Sequence, residues 1–301
     1  MRLFVLVCIT VMCSGCFSSF VMTEREIRNH YRNKTVKPTY FTITNDSVSL
    51  FCATTGADTL PPLLLVHGAP GAWYGSRNLL DDTMVQKQYH IITMDRLGYN
   101  KSKFKGKRGP VTSIETQAIA IHEALRLNHS NKTGVVMGSS FGGPIAAKLA
   151  IMYPERFHQL VMLAPAIEPD AEKYWWFHLF IRGGVVRALM PRFVNNATDE
   201  KMAHVDELKK LLPEWSKLSI PVTMVQGGED NVVYPSNLDF LKKRLIGKPA
   251  EFVFLPGSGH MIRTQNPDLV RTIVLKARKF SKFRIFKSSR KADREPQILK
   301  L

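Results

Sequence analysis

The chain has 301 residues, of which 45% are hydrophobic, and a formal net charge of +17 at pH 7. This is enough for one domain with a sizeable core, and the absence of internal repeats excludes a repeat array. The charge does not indicate a nucleic-acid partner, because no nucleic-acid-binding motif is present and residues 276–301 alone, with ten Lys or Arg and two acids, carry +8.

The amino terminus is typical of a targeting segment. A basic residue at position 2 precedes the apolar run 3–12, and Cys-Ser-Gly-Cys at 13–16 places small residues before a cysteine. The pattern is similar to a bacterial lipoprotein signal over 1–15, which implies lipidation of Cys16, a tether over 16–35 and a membrane-anchored protein of the bacterial cell envelope that faces the periplasm. An uncleaved anchor and ordinary secretion are the alternatives.

Eight apolar runs predict strands, and most of them are separated by helical stretches. The runs lie near 39–44, 48–53, 62–66, 89–94, 133–138, 158–164, 220–225 and 250–255. The first two are predicted to form an antiparallel hairpin at the edge of the sheet. The alternation of strand and helix predicts an α/β fold with a mostly parallel, eight-stranded sheet flanked by helices.

The fifth run ends in Gly138-Ser139-Ser140-Phe141-Gly142 and is followed by a helical pattern. A G-x-S-x-G between a strand and a helix is the nucleophile elbow, in which the serine sits on a sharp turn with its hydroxyl exposed. The glycines allow the strand and the helix to approach closely. Ser140 is therefore the candidate nucleophile.

Two further candidates follow the last two strands. Asp230 comes after the run near 220–225, and His260 comes after the run near 250–255. A serine hydroxyl needs a histidine to take its proton, and a buried carboxylate to hold that histidine in the correct tautomer. The ends of parallel strands meet at one edge of a sheet, so the three residues can meet there. Glu168, past the strand near 158–164, is a rival for the orienting acid.

Residues 61–279 resemble the α/β-hydrolase family in its cap-bearing form. The resemblance rests on the elbow, on Asp230 and His260 in the order Ser, Asp, His, on His-Gly-Ala-Pro-Gly at 67–71, and on Asp-Arg-Leu-Gly-Tyr-Asn-Lys-Ser at 95–102. It implies that the backbone N–H groups of Ala69 and Phe141 form the oxyanion hole and that no cofactor is needed. His67 is interpreted as structural, and Asn100, where the family has glycine, is expected to preserve the turn.

The alternation stops between about 165 and 218, where the family inserts a helical cap. Residues 174–181 are dense in aromatic side chains, 185–193 continue apolar, and 199–212 predict an amphipathic helix. We expect Trp175, Trp176 and Phe180 to line the substrate pocket. The alternative is that this aromatic stripe is only the packing face of the cap itself.

An aminopeptidase is the runner-up within the family. The segment at 67–71 resembles the His-Gly-Gly-Pro-Gly of proline iminopeptidases, in which cap carboxylates hold the amino terminus of the substrate. Four carboxylates of the cap could serve here: Asp170, Glu172, Asp206 and Glu207.

The domain is predicted over 36–280, followed by a basic tail over 281–301. Phenylalanines interleaved with the charges would suit an anionic bilayer surface; the alternative is a solvated tail. Three of the four cysteines lie in the first 16 residues, which leaves Cys52 as the only thiol of a processed domain and no cluster with the spacing of a metal site.

Taken together, these patterns predict a membrane-tethered serine hydrolase that cleaves a carboxylic ester on a small or hydrophobic substrate. The expected partners are that small molecule and the membrane, with no nucleic acid and no metal. The alternatives are a proline iminopeptidase-like aminopeptidase and a catalytically silent envelope protein that binds a lipid or peptide.

Overall fold

A computed structural model describes residues 22–106, 109–174, 183–280 and 297–300. The predicted signal, Cys16, the cap residues Trp175, Trp176 and Phe180, and most of the basic tail lie outside the described residues. None of the helices in the described ranges combines the length and the apolarity that crossing a bilayer requires.

The described residues form one sheet of ten strands in the order β10-β1-β2-β4-β3-β6-β7-β8-β9, with β5 paired to β2. The strands are β1 Thr39–Thr44, β2 Val48–Thr55, β3 Pro62–Val66, β4 His90–Met94, β5 Lys103–Phe104, β6 Gly134–Ser139, β7 Phe157–Leu163, β8 Val222–Gly227, β9 Ala250–Leu255 and β10 Gln297–Lys300. Strands β4, β3, β6, β7, β8 and β9 are mutually parallel, and the remaining pairs are antiparallel. The predicted mostly parallel α/β sheet is confirmed, but it has ten strands instead of the predicted eight, because β5 and β10 were not predicted.

The end of the basic tail corrects the sequence-based assignment. Residues Gln297–Lys300 pair antiparallel with β1, with Phe41 opposite Lys300. The β1–β2 hairpin was predicted to form the edge of the sheet, but β10 lies outside it. Without β10, the backbone N–H and C=O groups on the outer side of β1 would be unpaired, and an edge strand satisfies them.

The helices lie on both faces of the sheet. They are α1 Glu24–Tyr31, α2 Arg77–Leu80, α3 Thr83–Gln86, α4 Ile114–His122, α5 Gly142–Met152, α6 Gly184–Leu189, α7 Arg192–Leu211, α8 Ser236–Arg244, α9 Ile262–Gln265 and α10 Pro267–Ala277. Neighbouring residues of one strand pack on opposite faces: Val136 belongs to the apolar cluster with α4 and α5, and Val135 to the cluster with α9 and α10. Burial on both faces explains the continuous apolar runs of the parallel strands.

Part of the predicted tether is folded. Thr23 and Glu26 form a reciprocal capping box at the start of α1, and the side chains of Ile27 and Tyr31 are buried against the domain. Tyr31 stacks on Trp73 with ring centroids 6.4 Å apart. The folded part of the chain therefore begins before residue 36, because α1 buries an apolar face against it.

A helical segment lies between β7 and β8, where the sequence predicts the cap. Its long helix, α7, begins at Arg192 rather than near residue 199. Asn195 and Asn196 are poor helix formers, and their position obscures the start in the sequence. In the structure their amides donate to backbone carbonyls outside the helix, Asn195 to Arg187 at 2.9 Å and Asn196 to Gly98.

Candidate active site

The elbow at Ser140 has the geometry that its sequence predicts. Ser140 has a φ of 53°, in the left-handed region, between the end of β6 and the start of α5. Its backbone N–H donates to the Leu163 carbonyl at 3.0 Å, and its own carbonyl accepts from Gly143 at 2.8 Å. A non-glycine residue in this region is uncommon and is held there by its surroundings, here by these two bonds.

Two glycines of the elbow are required by close packing. A Cβ at Gly138 would lie 2.2 Å from the Gly142 carbonyl oxygen, and a Cβ at Gly142 would lie 2.4 Å from the Val66 carbonyl oxygen. No side chain fits at these distances. The G-x-S-x-G spacing therefore follows from the contact between β6, α5 and β3.

Asp230 and His260 are hydrogen-bonded to each other. His260 Nδ1 lies 2.8 Å from Asp230 Oδ2, and Asp230 is 1% exposed. The other carboxylate oxygen, Oδ1, accepts the backbone N–H groups of Val232 at 2.9 Å and Val233 at 2.8 Å. These bonds fix the carboxylate, so it can orient the histidine ring and stabilise a positive charge on it.

The order of the strands brings the three predicted residues to the same edge. Ser140 follows β6, Asp230 follows β8 and His260 follows β9, and β6, β7, β8 and β9 are adjacent parallel strands. Glu168, the rival acid, follows β7, but Asp230 is the carboxylate bonded to His260. One oxygen of Glu168 is buried without a hydrogen-bond partner among the described residues.

The loop after β3 lies against the elbow. A Cβ at Gly68 would be 3.0 Å from Ser140 Cβ and 3.5 Å from Ser140 Oγ. Ala69 is the next residue of this loop, and Phe141 is the next residue after the serine. The loop and the elbow therefore lie together beside Ser140, and the oxyanion role of Ala69 and Phe141 stays a prediction.

His67 is held as a neutral structural residue. Its Nε2 accepts the backbone N–H of Arg96 at 2.9 Å, and its Nδ1 lies 2.7 Å from the Gly68 carbonyl oxygen. Burial and the neighbouring charge of Arg96 lower the pKa of His67 well below its usual value. The structural interpretation of His67 is confirmed.

A profile of the alpha/beta hydrolase fold matches residues 61–217, which is more than half of the chain. The chain belongs to the alpha/beta hydrolase fold family. It is 26% identical over 285 residues to a 1-acylglycerol-3-phosphate O-acyltransferase of Arabidopsis thaliana, a match that covers 73% of this chain and 67% of the relative.

Other relatives of this alpha/beta hydrolase are lipases. Lipase 3 of Moraxella sp. (strain TA144) is 24% identical over 239 residues, covering 66% of this chain and 71% of the lipase. The crystal structure of a membrane phospholipase A, described as a bacterial virulence factor, superimposes with a TM-score of 0.63 at 16% identity, covering 93% of this chain and 99% of that one. Within the alpha/beta hydrolase fold family, the chain is thus similar to proteins of the esterase and lipase type.

The turn after β4 is bonded to the segment that follows the loop at 67–71. Asp95 Oδ1 accepts the backbone N–H of Trp73 and the Asn100 side-chain amide, both at 3.1 Å. Asn100 has a φ of 40°, so it adopts the left-handed conformation in place of glycine, as predicted. Burial raises the pKa of Asp95 to about 6.

A buried ion pair that sequence reasoning missed joins this turn to the cap. The Arg96 guanidinium binds both carboxylate oxygens of Glu200 on α7, at 2.6 and 2.9 Å, and Tyr99 donates to Glu200 at 2.6 Å. Arg96 also donates to the carbonyls of His67 at 2.9 Å and Gly68 at 3.0 Å. Arg96 therefore connects the cap helix to the loop beside Ser140.

The cap helix lies directly over the elbow. The rings of Phe141 and His204 on α7 have centroids 4.1 Å apart, and His204 Nε2 lies 3.0 Å from the Ala166 carbonyl oxygen. Burial lowers the pKa of His204. The backbone of Phe141 thus lies next to the nucleophile, and its side chain packs against the cap helix.

The four cap carboxylates considered for amine binding are not available for it. Glu172 pairs with Lys201, and Glu207 accepts the backbone N–H of Ile114 at 2.9 Å at the start of α4. Asp170 and Asp206 are exposed to solvent. None of them presents a free, sheltered carboxylate to a substrate amine, which disfavours the aminopeptidase alternative.

Proposed function

We propose that the protein is a serine hydrolase that cleaves a carboxylic ester through an acyl-enzyme. The observation that carries the proposal is the hydrogen bond of 2.8 Å between His260 and the buried Asp230, at the same sheet edge as the strained turn of Ser140. A serine, a histidine and a buried acid at such an edge are the parts of an acyl-transfer site.

Each residue has one role in this proposal. The Ser140 hydroxyl oxygen attacks the ester carbonyl carbon while His260 Nε2 takes its proton, and the backbone N–H groups of Ala69 and Phe141 stabilise the negative oxygen. His260 then returns the proton to the leaving alcohol. Water, deprotonated by His260, attacks the acyl-enzyme, and the carboxylic acid leaves as Ser140 regains its proton. Asp230 orients His260 throughout.

Two observations favour an ester over a peptide amide. The curated relatives include lipases. In addition, the cap carboxylates that would hold a peptide amino terminus are either paired or exposed to solvent. A hydrophobic acyl or alcohol group suits the predicted aromatic lining of the cap.

The test is hydrolysis of p-nitrophenyl esters of increasing chain length, with a prolyl p-nitroanilide beside them. We expect the esters to be cleaved, the amide to resist, and Ser140→Ala to abolish turnover. Cleavage of the prolyl amide at comparable kcat/KM would support the aminopeptidase instead. No turnover of any substrate by the folded protein would support the silent binding protein.

Acyl transfer to an alcohol is a second candidate. It is favoured by the similarity to the Arabidopsis 1-acylglycerol-3-phosphate O-acyltransferase over 73% of the chain. The same acyl-enzyme would form, and an acceptor hydroxyl would replace water in the second step. Mass spectrometry of the products from a p-nitrophenyl ester as acyl donor, with and without added 1-acylglycerol-3-phosphate as acceptor, separates the two. A diacyl product that carries the acyl group of the donor indicates transfer, and only free acid indicates hydrolysis.

We also propose that the amino terminus attaches the protein to the membrane of a bacterial envelope through lipid on Cys16. The support is the order of basic, apolar and small residues before this cysteine. Cys16→Ser should move the protein from the membrane fraction to the soluble fraction. If the variant stays in the membrane fraction, the chain is held by an uncleaved apolar anchor.

A further inference from the structure

Arg263 places a cationic side chain beside Ser139, the residue that precedes the nucleophile. It lies on α9, three residues after His260. Its Nη1 is 3.5 Å from Ser139 Oγ and 3.2 Å from Ser76 Oγ. Ser139 directly precedes Ser140, and Ser76 follows the loop at 67–71. The guanidinium therefore lies between the elbow and the segment after that loop.

No described carboxylate lies within 4.0 Å of the Arg263 guanidinium, unlike its two neighbours in the fold. Arg96 is paired with Glu200, and Arg271 on α10 is paired with Asp82. The hydrogen bonds of Arg263 among the described residues go to two neutral serine hydroxyls. A partly buried charge is normally compensated by a partner of opposite sign, and here the described protein does not supply one.

A second arginine makes the local charge more positive. Burial, and then the positive charge of the nearby Arg77, lower the pKa of Arg263 to about 10. Arg263 remains protonated at neutral pH, and the hydrogen bond that Arg77 makes among the described residues goes to the backbone carbonyl of Tyr74, at 3.5 Å. The two guanidinium groups therefore form a site of uncompensated positive charge.

Two acids that line a cavity together with Arg263 are already paired with other cations. Arg263 borders a cavity of about 320 Å³ that Asp81 and Asp82 also line. Asp81 Oδ2 binds His30 at 2.7 Å and Lys34 at 3.1 Å, while Asp81 Oδ1 is buried without a hydrogen-bond partner among the described residues. Asp82 caps α3 in addition to its ion pair with Arg271. They leave the charge of Arg263 available.

A residue without a side chain lies beside the Nη2 atom of the guanidinium. The residue beside its Nη2 is Gly75, where an added Cβ would lie 3.5 Å from that nitrogen. Arg263 is partly exposed, as are Ser139 and Ser140. Nη1 bonds to the serines, which leaves Nε and Nη2 as donors suited to two oxygens of one anion.

From this arrangement we infer that Arg263 binds an anionic group of the substrate, a carboxylate or a phosphate, and that the enzyme prefers esters that carry this charge near the ester bond. The inference rests on the proposed ester hydrolysis at Ser140 and names the substrate class of that site. Arg77 adds to the attraction without contacting the anion.

The test compares matched pairs of esters that differ in one charge. Carboxylates are tested with p-nitrophenyl pentanoate against p-nitrophenyl hemiglutarate, and phosphates with a monoacylglycerol against the corresponding 1-acylglycerol-3-phosphate. The measured quantity is the ratio of kcat/KM for the charged ester to that for the neutral one. We expect this ratio to exceed one in the wild type for at least one pair, and the pair that shows it identifies the anion.

Three variants assign the preference to Arg263. Arg263→Gln should lower the ratio by tenfold or more, mainly through a higher KM for the charged ester, because a hydrogen-bonded charge pair is lost. Arg263→Lys should lower the ratio less than Arg263→Gln does, because lysine keeps the positive charge. Arg271→Gln removes a paired arginine from the neighbouring helix and should leave the ratio unchanged.

Failure of the inference and failure of the proposed function look different. If the wild type cleaves charged and neutral esters equally, or if Arg263→Gln keeps the ratio, the anion site is wrong and the esterase stands. If the wild type cleaves none of the four, the proposed function is wrong. If Arg263→Gln does not fold, the inference is tested on the wild type alone. Added NaCl should then raise KM for the charged ester only, and an unchanged KM for that ester overturns the inference.

Discussion

Among the single residues, the three candidates for catalysis were the most predictable from sequence. Ser140, Asp230 and His260 each follow an apolar strand directly, and chemistry at the ends of parallel strands is a rule of α/β sheets. Arg263 and the Arg96–Glu200 pair were not predicted, because the residues that they join are 187 and 104 positions apart. No local pattern records a contact of that kind.

Asp230→Asn tests the orienting role of the carboxylate. Asparagine keeps the shape but presents an amide to His260 Nδ1 or to the N–H groups of Val232 and Val233, so the histidine loses its correct tautomer. We expect kcat to fall by about 10³- to 10⁴-fold with the fold retained. Steady-state kinetics on a p-nitrophenyl ester, with circular dichroism beside it, measures this.

The matched control is Glu168→Gln, which changes the other carboxylate at this edge of the sheet. It should change kcat by less than tenfold. A larger loss in Glu168→Gln than in Asp230→Asn would show that the rival acid orients His260.

At the scale of elements, the ion pair between Arg96 and Glu200 joins the cap helix α7 to the loop at 67–71. The pattern of apolar runs located most of the strands to within two residues, because buried strands are continuous and apolar. It missed the start of α7, where two asparagine side chains donate hydrogen bonds to backbone carbonyls outside the helix. It also missed β10, whose only signal is four residues inside a charged tail. Pairing of β10 depends on the open edge of β1, which the tail sequence does not encode.

Glu200→Gln tests this connection. It leaves the Arg96 guanidinium, which is 0% exposed, without its counter-charge. Breaking a buried pair by removing one partner costs about 3–5 kcal/mol, so the free energy of unfolding should fall by about this amount. Urea titration followed by circular dichroism measures it.

Glu123→Gln is the control for this change. It removes an acid that pairs with Arg126 at 2.9 Å on the surface, and such pairs contribute about 1 kcal/mol or less. Equal effects of the two substitutions would contradict a structural role for the buried pair.

For the whole molecule, the sequence predicted the fold class and the position of the cap, since alternation of strand and helix is a property of the entire chain. The acid sensitivity of the fold could not be predicted, because it depends on which histidines are buried. His90 is 3% exposed, and burial lowers its pKa to about 4. An unfolded chain protonates the same histidine near pH 6.5.

The contribution of His90 to the free energy of unfolding should therefore fall as the pH is lowered from about 6.5 to about 4. In this window the unfolded chain binds a proton at position 90 and the folded chain does not, so the free energy of unfolding loses up to about 1.4 kcal/mol per pH unit from this group. Asp95, with its pKa raised to about 6, acts in the opposite direction, because its folded form binds the proton more tightly.

His90→Asn isolates the contribution of the histidine. Asparagine retains an acceptor for the Asn128 amide, which lies 3.1 Å from His90 Nδ1, but does not titrate. Urea midpoints between pH 4.5 and 7 should show a shallower loss of stability on acidification in the variant. Identical pH dependence in both proteins would show that His90 does not contribute.

The central claim is that Ser140 is an activated nucleophile, and the most direct measurement is covalent labelling of the full-length protein with a fluorophosphonate, wild type beside Ser140→Ala. Mass spectrometry of the digested protein then locates the adduct. We predict one phosphonyl group on Ser140 in the wild type, slower labelling in Asp230→Asn, and no labelling in Ser140→Ala. An unlabelled but folded wild type, or an adduct that persists in Ser140→Ala, would contradict the account.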